Sequence, residues 1–297
     1  MLLTVAVIWG TTFVAQSEGM DYMGPLTYQA LRSVLGGLFL VPLILIKDLL
    51  QKKTGTYSSP AKEAKKKTLL VGVLCGVIMT IAALLQQYGI ALGTTGDKAG
   101  FITALYIVLV PVFGMFLKKK IHPLVWASVA LAVLGLYFLC IQSNFTVLPC
   151  DLITLGCAIV FALHIITIDN LAANLDGIRI SCIQFFTSAV ISGIAMFIFE
   201  SPSISSIMSG WVTIVYAGIL SSGVAYTLQI LGQQRTEPCV ASILMSMESL
   251  FAVVGTIVFT AATGAVQLPT LREWLGCALM FTAIILTQLP DFVKKRS

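Results

Sequence analysis

Apolar stretches, each about long enough to cross a bilayer, fill almost the whole of this 297-residue chain. A helix advances about 1.5 Å per residue, so roughly 20 apolar residues cross a hydrocarbon core. Charged residues and Gly/Pro clusters bound ten candidate spans, at 1–16, 25–46, 68–93, 97–117, 123–142, 151–171, 179–200, 211–234, 238–260 and 271–290. A soluble domain needs a polar exterior. Here 58% of residues are hydrophobic and 10% charged, and the mean hydropathy is +0.96. A transmembrane barrel would show alternating segments of about 10 residues. The run from Thr68 to Leu92 is apolar on every face and too long for that. The chain reads as an all-α integral membrane protein.

Positive charge sets an expected orientation, because loops left in the cytoplasm retain Lys and Arg. Of 18 such residues, 15 fall on one side: Lys47 to Lys67, Lys118 to Lys120, Arg179, Arg235 and Lys294 to Arg296. The opposite loops keep Lys98 and Arg272, and Arg32 lies inside span two. Both termini are therefore expected in the cytoplasm, in a multi-pass protein of the plasma (inner) membrane. The basic balance reflects topology, not nucleic-acid binding; membrane lipid is the expected macroscopic partner of the basic loops. Span one starts at Met1 without a charged n-region, and no small-residue cleavage site precedes Glu18, which argues against a signal peptide. A few residues are expected ahead of Met1 in the natural protein.

Seven cysteines lie mostly inside predicted helices and form no CxxC pair, so neither a metal site nor a cofactor is expected. Cys140 and Cys150 are the only pair near the outer face; a disulfide between them is not expected. No Walker A sequence or HExxH motif occurs.

The chain divides into two sets of five spans, residues 1–142 and 151–290, with a basic tail at 291–297. A shift of 142 residues places Gln87, Thr94, Ala99, Leu105 and Tyr106 opposite Gln229, Thr236, Ala241, Met247 and Glu248. Both halves open their fifth span with a Pro and a Trp, Pro123 with Trp126 and Pro269 with Trp274. Five is odd, so two such repeats enter the membrane in opposite directions. Inverted repeats recur in transporters, with the substrate near the midplane between them.

Ordered motifs then resemble the EamA-type proteins of the drug/metabolite transporter superfamily. They are Trp9-Gly10-Thr11-Thr12-Phe13-Val14, Gly24-Pro25 with Arg32, Gln86-Gln87-Tyr88-Gly89, Ala99 to Tyr106 with Pro111, Gly135-Leu136-Tyr137, and Phe161-Ala162-Leu163-His164. The resemblance covers essentially the whole chain. It implies ten transmembrane helices as two inverted five-helix EamA repeats, and movement of small organic solutes, often by export. One departure is Met247-Glu248-Ser249, where the family usually has Leu-Glu-Pro and so a proline able to kink the helix. The resemblance further implies a cavity lined by spans one, three, four, six, eight and nine.

Ionisable groups inside a bilayer cost about 2.5–3.5 kcal/mol on insertion scales. Three stand out. Glu248 lies about 15 Å past Pro238 along its helix, near the midplane, and could bind an amine or exchange a proton. The competing reading is a carboxyl that locks packing. Arg32 lies about 10 Å below Pro25 and is either a counter-charge for a carboxylate or a snorkelling, fold-locking cation. His164 lies about 20 Å below Asp151; a lone His on an apolar helix is more often a packing group than a ligand.

Tyr106, about 13 Å below Asp97, aligns with Glu248 across the repeat. Trp9 could stack on a solute or pack. Gln86, Gln87 and Gln229 read as gate or helix-contact residues. Substrate-binding candidates are thus Glu248, Tyr106, Trp9, Arg32 and His164.

These features suggest a non-enzymatic secondary carrier of amino acids, amines or related metabolites, working by alternating access. Sparse intramembrane cations argue against phosphorylated substrates. Two rivals are an intramembrane enzyme using His164 and a structural or sensory membrane protein. A GxxxG-like pair, Gly72 with Gly76, could pack within one protomer or across a homodimer.

Overall fold

Prolines open four of the described helices, where their missing N–H is no loss and their fixed φ favours the first turn. The computed structural model describes residues 1–55, 61–119, 121–141, 147–251 and 270–294, with the side chains of 97 and 288–294 excepted. Its helices are α1 (Leu2–Met20), α2 (Pro25–Lys53), α3 (Lys62–Ala91), α4 (Gly96–Ala104), α5 (Tyr106–Phe116), α6 (Pro123–Cys140) and α7 (Pro149–Leu171). There follow α8 (Gly177–Phe199), α9 (Ile204–Ser209), α10 (Trp211–Val215), a π-helical stretch (Tyr216–Ala225), α11 (Tyr226–Gln233), α12 (Pro238–Met245) and α13 (Leu271–Lys294). Among the described residues there is no strand.

Among the described residues seven segments are long and apolar enough to cross a membrane: Pro25–Lys53, Lys62–Ala91, Lys98–Phe116, Pro123–Cys140, Pro149–Leu171, Gly177–Phe199 and Trp211–Gln233. The first expected span lies in α1, whose last turn carries Gln16, Ser17 and Glu18. The tenth lies in α13. The ninth, 238–260, is described only as far as Phe251, and the rest falls outside the described residues. The protein is a multi-pass, all-helical membrane protein.

Two spans are not the continuous rods that hydropathy predicts. The fourth breaks at Leu105, between α4 and α5. The ninth breaks at Ser246 and Met247, after which Glu248 to Phe251 resume a helical turn. No proline stands at this second break. Instead Ser242 and Ser246 donate their hydroxyls to the carbonyls of Cys239 and Ile243, each at 2.8 Å. Such back-bonding competes with the helical ladder and bends helices. The two breaks sit one residue before Tyr106 and one before Glu248.

Small residues set the closest contacts, as expected where lipid supplies no hydrophobic drive between helices. A Cβ on Gly135 of α6 would lie 2.9 Å from the carbonyl oxygen of Gly276 in α13, and one on Gly276 would lie 2.8 Å from that of Gly135. Gly72 and Gly76 pack on Ile183 and Thr187 of α8, so this GxxxG-like pair is used within the protomer. Gly36 of α2 faces Ser222, and Gly218 faces Leu35 and the carbonyl of Arg32, which brings α2 against the π-helical stretch.

Charges tie the helix ends. At one end Arg179 bonds Asp48 at 2.6 Å and Asp176 at 2.6 Å, while Lys47 bonds Asp176 at 2.9 Å, clasping the end of α2 to the start of α8. Burial pushes the Asp176 carboxyl up, but its bonds to Lys47 and the Arg179 backbone, with both cationic charges, leave it below the ordinary carboxylate value. Lys119 pairs with Asp169 at the same end. At the other end Lys98 pairs with Asp151. There the Glu200 carboxylate accepts the backbone N–H groups of Leu26 and Thr27, at 2.9 and 2.8 Å. An anion at a helix N-terminus satisfies orphan donors and opposes the positive end of the dipole. The cysteines are free thiols, Cys140 and Cys150 included.

Candidate functional site

One polar cavity lies where the broken helices meet. Its volume is small, about 40 Å³. Trp9, Thr12, Phe13 and Gln16 of α1 line it, with Arg32 of α2, Gln86 of α3, Thr103 of α4 and Tyr106 of α5. Phe161 and Ile165 of α7, Ser221, Tyr226 and Gln229 from the π-helical stretch and α11, and Glu248 complete the wall.

The breaks place Tyr106 and Glu248 face to face. The Tyr106 hydroxyl donates to Glu248 Oε1 at 3.4 Å, a contact between residues 142 apart in sequence. Both are buried, at 3% exposure. Arg32 is 4% exposed. It donates through Nε to Ser222 Oγ at 3.2 Å and through Nη2 to Ser221 Oγ at 3.4 Å. The π-helical stretch is what aims this serine pair at α2; extra-wide turns often occur at functional sites. Among the described residues neither Arg32 nor Glu248 forms an ion pair. A guanidinium and a carboxyl, each without an ion-pair partner among the described residues, thus share the wall of one low-dielectric cavity, where a charged or polar solute part would interact strongly.

Further polar atoms in the wall lack protein partners. Trp9 stacks on Tyr226, with ring centroids 4.8 Å apart at 57°. Its Nε1 has no hydrogen-bond partner among the described residues, and neither has Gln229 Oε1. Two residues of the wall therefore carry an unused donor and an unused acceptor. Gln86 is engaged, donating to Thr103 Oγ1 at 3.0 Å and accepting from Gln16.

Two of the residues singled out from sequence lie elsewhere. Gln87 is fully buried and held by Gln16, outside the cavity wall. His164 is also fully buried outside it, with Nε2 at 2.8 Å from Gln184 Oε1. With Gln184 so oriented, His164 Nε2 carries the proton and donates. Its Nδ1 and Gln184 Nε2 have no partner among the described residues. Tyr226 links the two places, packing on Trp9 and, edge-on at 6.3 Å, on His164.

Gln16, Tyr226, Ser221 and Thr103 line the cavity but were not singled out by sequence. Gln16 and Tyr226 carried the usable signal, a polar group within an apolar helix. Ser221 and Thr103 are ordinary in membrane helices and carried none. Among the described residues no group of three His, Cys, Asp or Glu side chains could hold a metal ion.

The chain matches the model of the EamA-like transporter family twice, over residues 1–141 and 148–289. An uncharacterized transporter of Archaeoglobus fulgidus is 25% identical over 289 residues, 97% of this chain and 84% of that protein. The uncharacterized transporter YoaV of Bacillus subtilis is 24% identical over 233 residues, 76% of each chain. A protein of known crystal structure superposes with a TM-score of 0.73 at 18% identity, over 97% of this chain and 95% of that one. That likeness extends to the fold alone. With the family model matched across nearly its whole length, the chain belongs to the EamA-like transporter family.

Proposed function

We propose that this protein is a secondary carrier that moves small organic solutes bearing an amine, a carboxylate or both, such as amino acids and related metabolites, in the export direction. The observation that carries this reading is the cavity itself: Arg32 and Glu248 share its wall without an ionic partner among the described residues, beside the unused Trp9 Nε1 and Gln229 Oε1. A solute carboxylate fits the Arg32 and Trp9 donors. An ammonium fits Glu248 and the Gln229 oxygen. Binding would satisfy groups that are otherwise costly to bury.

The architecture in this reading is ten spans as two inverted five-helix repeats, residues 1–142 and 151–290, followed by the tail 291–297. The Tyr106–Glu248 contact supports it, since repeat-equivalent residues touch only near the axis that relates the halves. An axis in the membrane plane puts that contact at the midplane. Packing agrees in pattern: α2 on α8 and α6 on α13 pair equivalent spans, and α3 on α7 is matched by α1 on the π-helical stretch. Rocking of the halves about this axis gives alternating access. The small free space fits a state in which the solute enters only when one end opens. Lysine-rich helix ends and both termini lie in the cytoplasm of a plasma-membrane protein, so Lys98 and Glu200 mark the outer end. A homodimer is compatible with the lipid-facing surface.

An intramembrane enzyme would need a nucleophile within reach of its base. The partner of His164 is an amide, and no observation favours that reading. Counterflow in proteoliposomes tests the proposal, using a panel of amino acids together with the corresponding amines and carboxylic acids. Faster exchange of the zwitterions than of either singly charged analogue is expected. Exchange of none of the three classes would contradict the reading.

A further inference from the structure

Building on the carrier reading, we propose that Gln16 is the latch that seals the cavity at its outer end. Its side-chain Nε2 donates to Gln86 Oε1 and to Gln87 Oε1, both at 3.0 Å. Gln87 Nε2 returns a bond to the backbone carbonyl of Gln16 at 3.3 Å, and Gln86 Nε2 goes on to Thr103 Oγ1 at 3.0 Å. Three elements, α1, α3 and α4, are joined through one buried amide cluster. Gln16 and Gln86 also belong to the cavity wall, so the cluster is the ceiling over the solute space.

The inner end is closed by a different device. Gln233 Nε2 reaches the carbonyl of Ile165 at 3.4 Å, and Gln234 Nε2 reaches those of Ala172 and Leu175 at 2.7 and 2.9 Å. These are single side chains on backbone acceptors, and neither glutamine lines the cavity. Gln229, which does, leaves its oxygen without a partner among the described residues. The lysine–aspartate pairs on α7 do not account for the contrast, because one stands at each end, Lys98 with Asp151 and Lys119 with Asp169, while Lys47 with Asp176 ties α2 to α8. At the outer end one side chain thus holds α1 to α3 through two bonds that share a single donor nitrogen. Parting α1 from α3 there breaks both in one motion. Without water in the hydrocarbon region, neither amide regains a partner until the gap is wide enough to wet.

The test is accessibility, so it can fail independently of transport. A reporter thiol, Phe161→Cys, sits in the cavity wall on α7. A membrane-impermeant thiol reagent is applied to intact cells or to inverted vesicles, with the labelling of the seven native cysteines subtracted. Gln16→Leu is expected to raise labelling from the outer face roughly three- to tenfold, the scale of losing two interhelical hydrogen bonds in a membrane. Gln87→Met, which leaves Gln16 in place, must move it the same way. Gln29→Leu removes a comparably buried amide between α2 and α8 and should leave it unchanged. Unchanged labelling in both latch variants of intact, monodisperse protein overturns the proposal. So does an equal rise in Gln29→Leu, which would mean general loosening. If transport itself is absent, the labelling result still stands or falls alone.

Discussion

Trp9 separates a packing role from a binding role with a single atom. Its ring is held by Tyr226, while its Nε1 has no partner among the described residues. Trp9→Phe keeps most of the ring and removes the N–H. Unfolding temperature in detergent should hardly change, whereas the half-saturating solute concentration should rise roughly three- to tenfold, the scale of one ordinary hydrogen bond. Equal losses of both would make Trp9 a packing residue. Arg32→Lys is informative for the same reason. A lysine keeps the charge but cannot place two nitrogens on Ser221 and Ser222, and a similar weakening of transport is expected. Sequence reading located these residues by depth, because rise per residue converts position into height. Depth carries no azimuth. His164 was therefore grouped with Glu248 although it lies outside the cavity wall, and Gln16 was passed over as the boundary of a span.

Helix ends and crossings carry the second set of consequences. Asp176 caps α8 and accepts from Lys47 and Arg179, which holds its carboxyl below the ordinary value. Because the folded value is depressed, the stabilisation is complete above the unfolded value of about 4 and disappears as pH falls through the lowered folded value. Asp176→Asn should accordingly lower the unfolding temperature at pH 7, and the difference from wild type should shrink in acid. A gap that stays constant with pH would mean that shape, not charge, matters at this cap. Gly135→Val would drive a side chain into the Gly276 backbone, costing about 1–3 kcal/mol by overpacking. Gly193→Ala, with nothing within 4 Å of its Cβ, should be neutral or slightly stabilising. Thermal unfolding of the two variants in detergent checks both. Hydropathy marked the long apolar helices but not the breaks at Leu105 and Ser246–Met247, since an interrupted helix is as apolar as a straight one. The missing proline pointed the wrong way at the second break, where serine back-bonding bends the chain without it.

At the scale of the molecule, the internal shift of 142 residues was the most productive observation in the sequence. It paired Tyr106 with Glu248 from weak identity, and those two side chains meet in the structure. The pairing was legible because the duplicated halves keep the residues around their helix breaks in register. The serine pair facing Arg32 was not legible, because the π-helical stretch belongs to the second half alone among the described residues. In the proposed carrier, the site formed at this contact binds the solute through Glu248. The most direct measurement is proteoliposome flux of mixed amino acids, amines and nucleosides by wild type and Glu248→Gln, with and without an imposed pH gradient. Wild-type flux of an amine-bearing class is expected to fall at least about tenfold in Glu248→Gln, the scale of one lost charge-assisted contact. Undiminished flux in the variant, with or without the gradient, would contradict it.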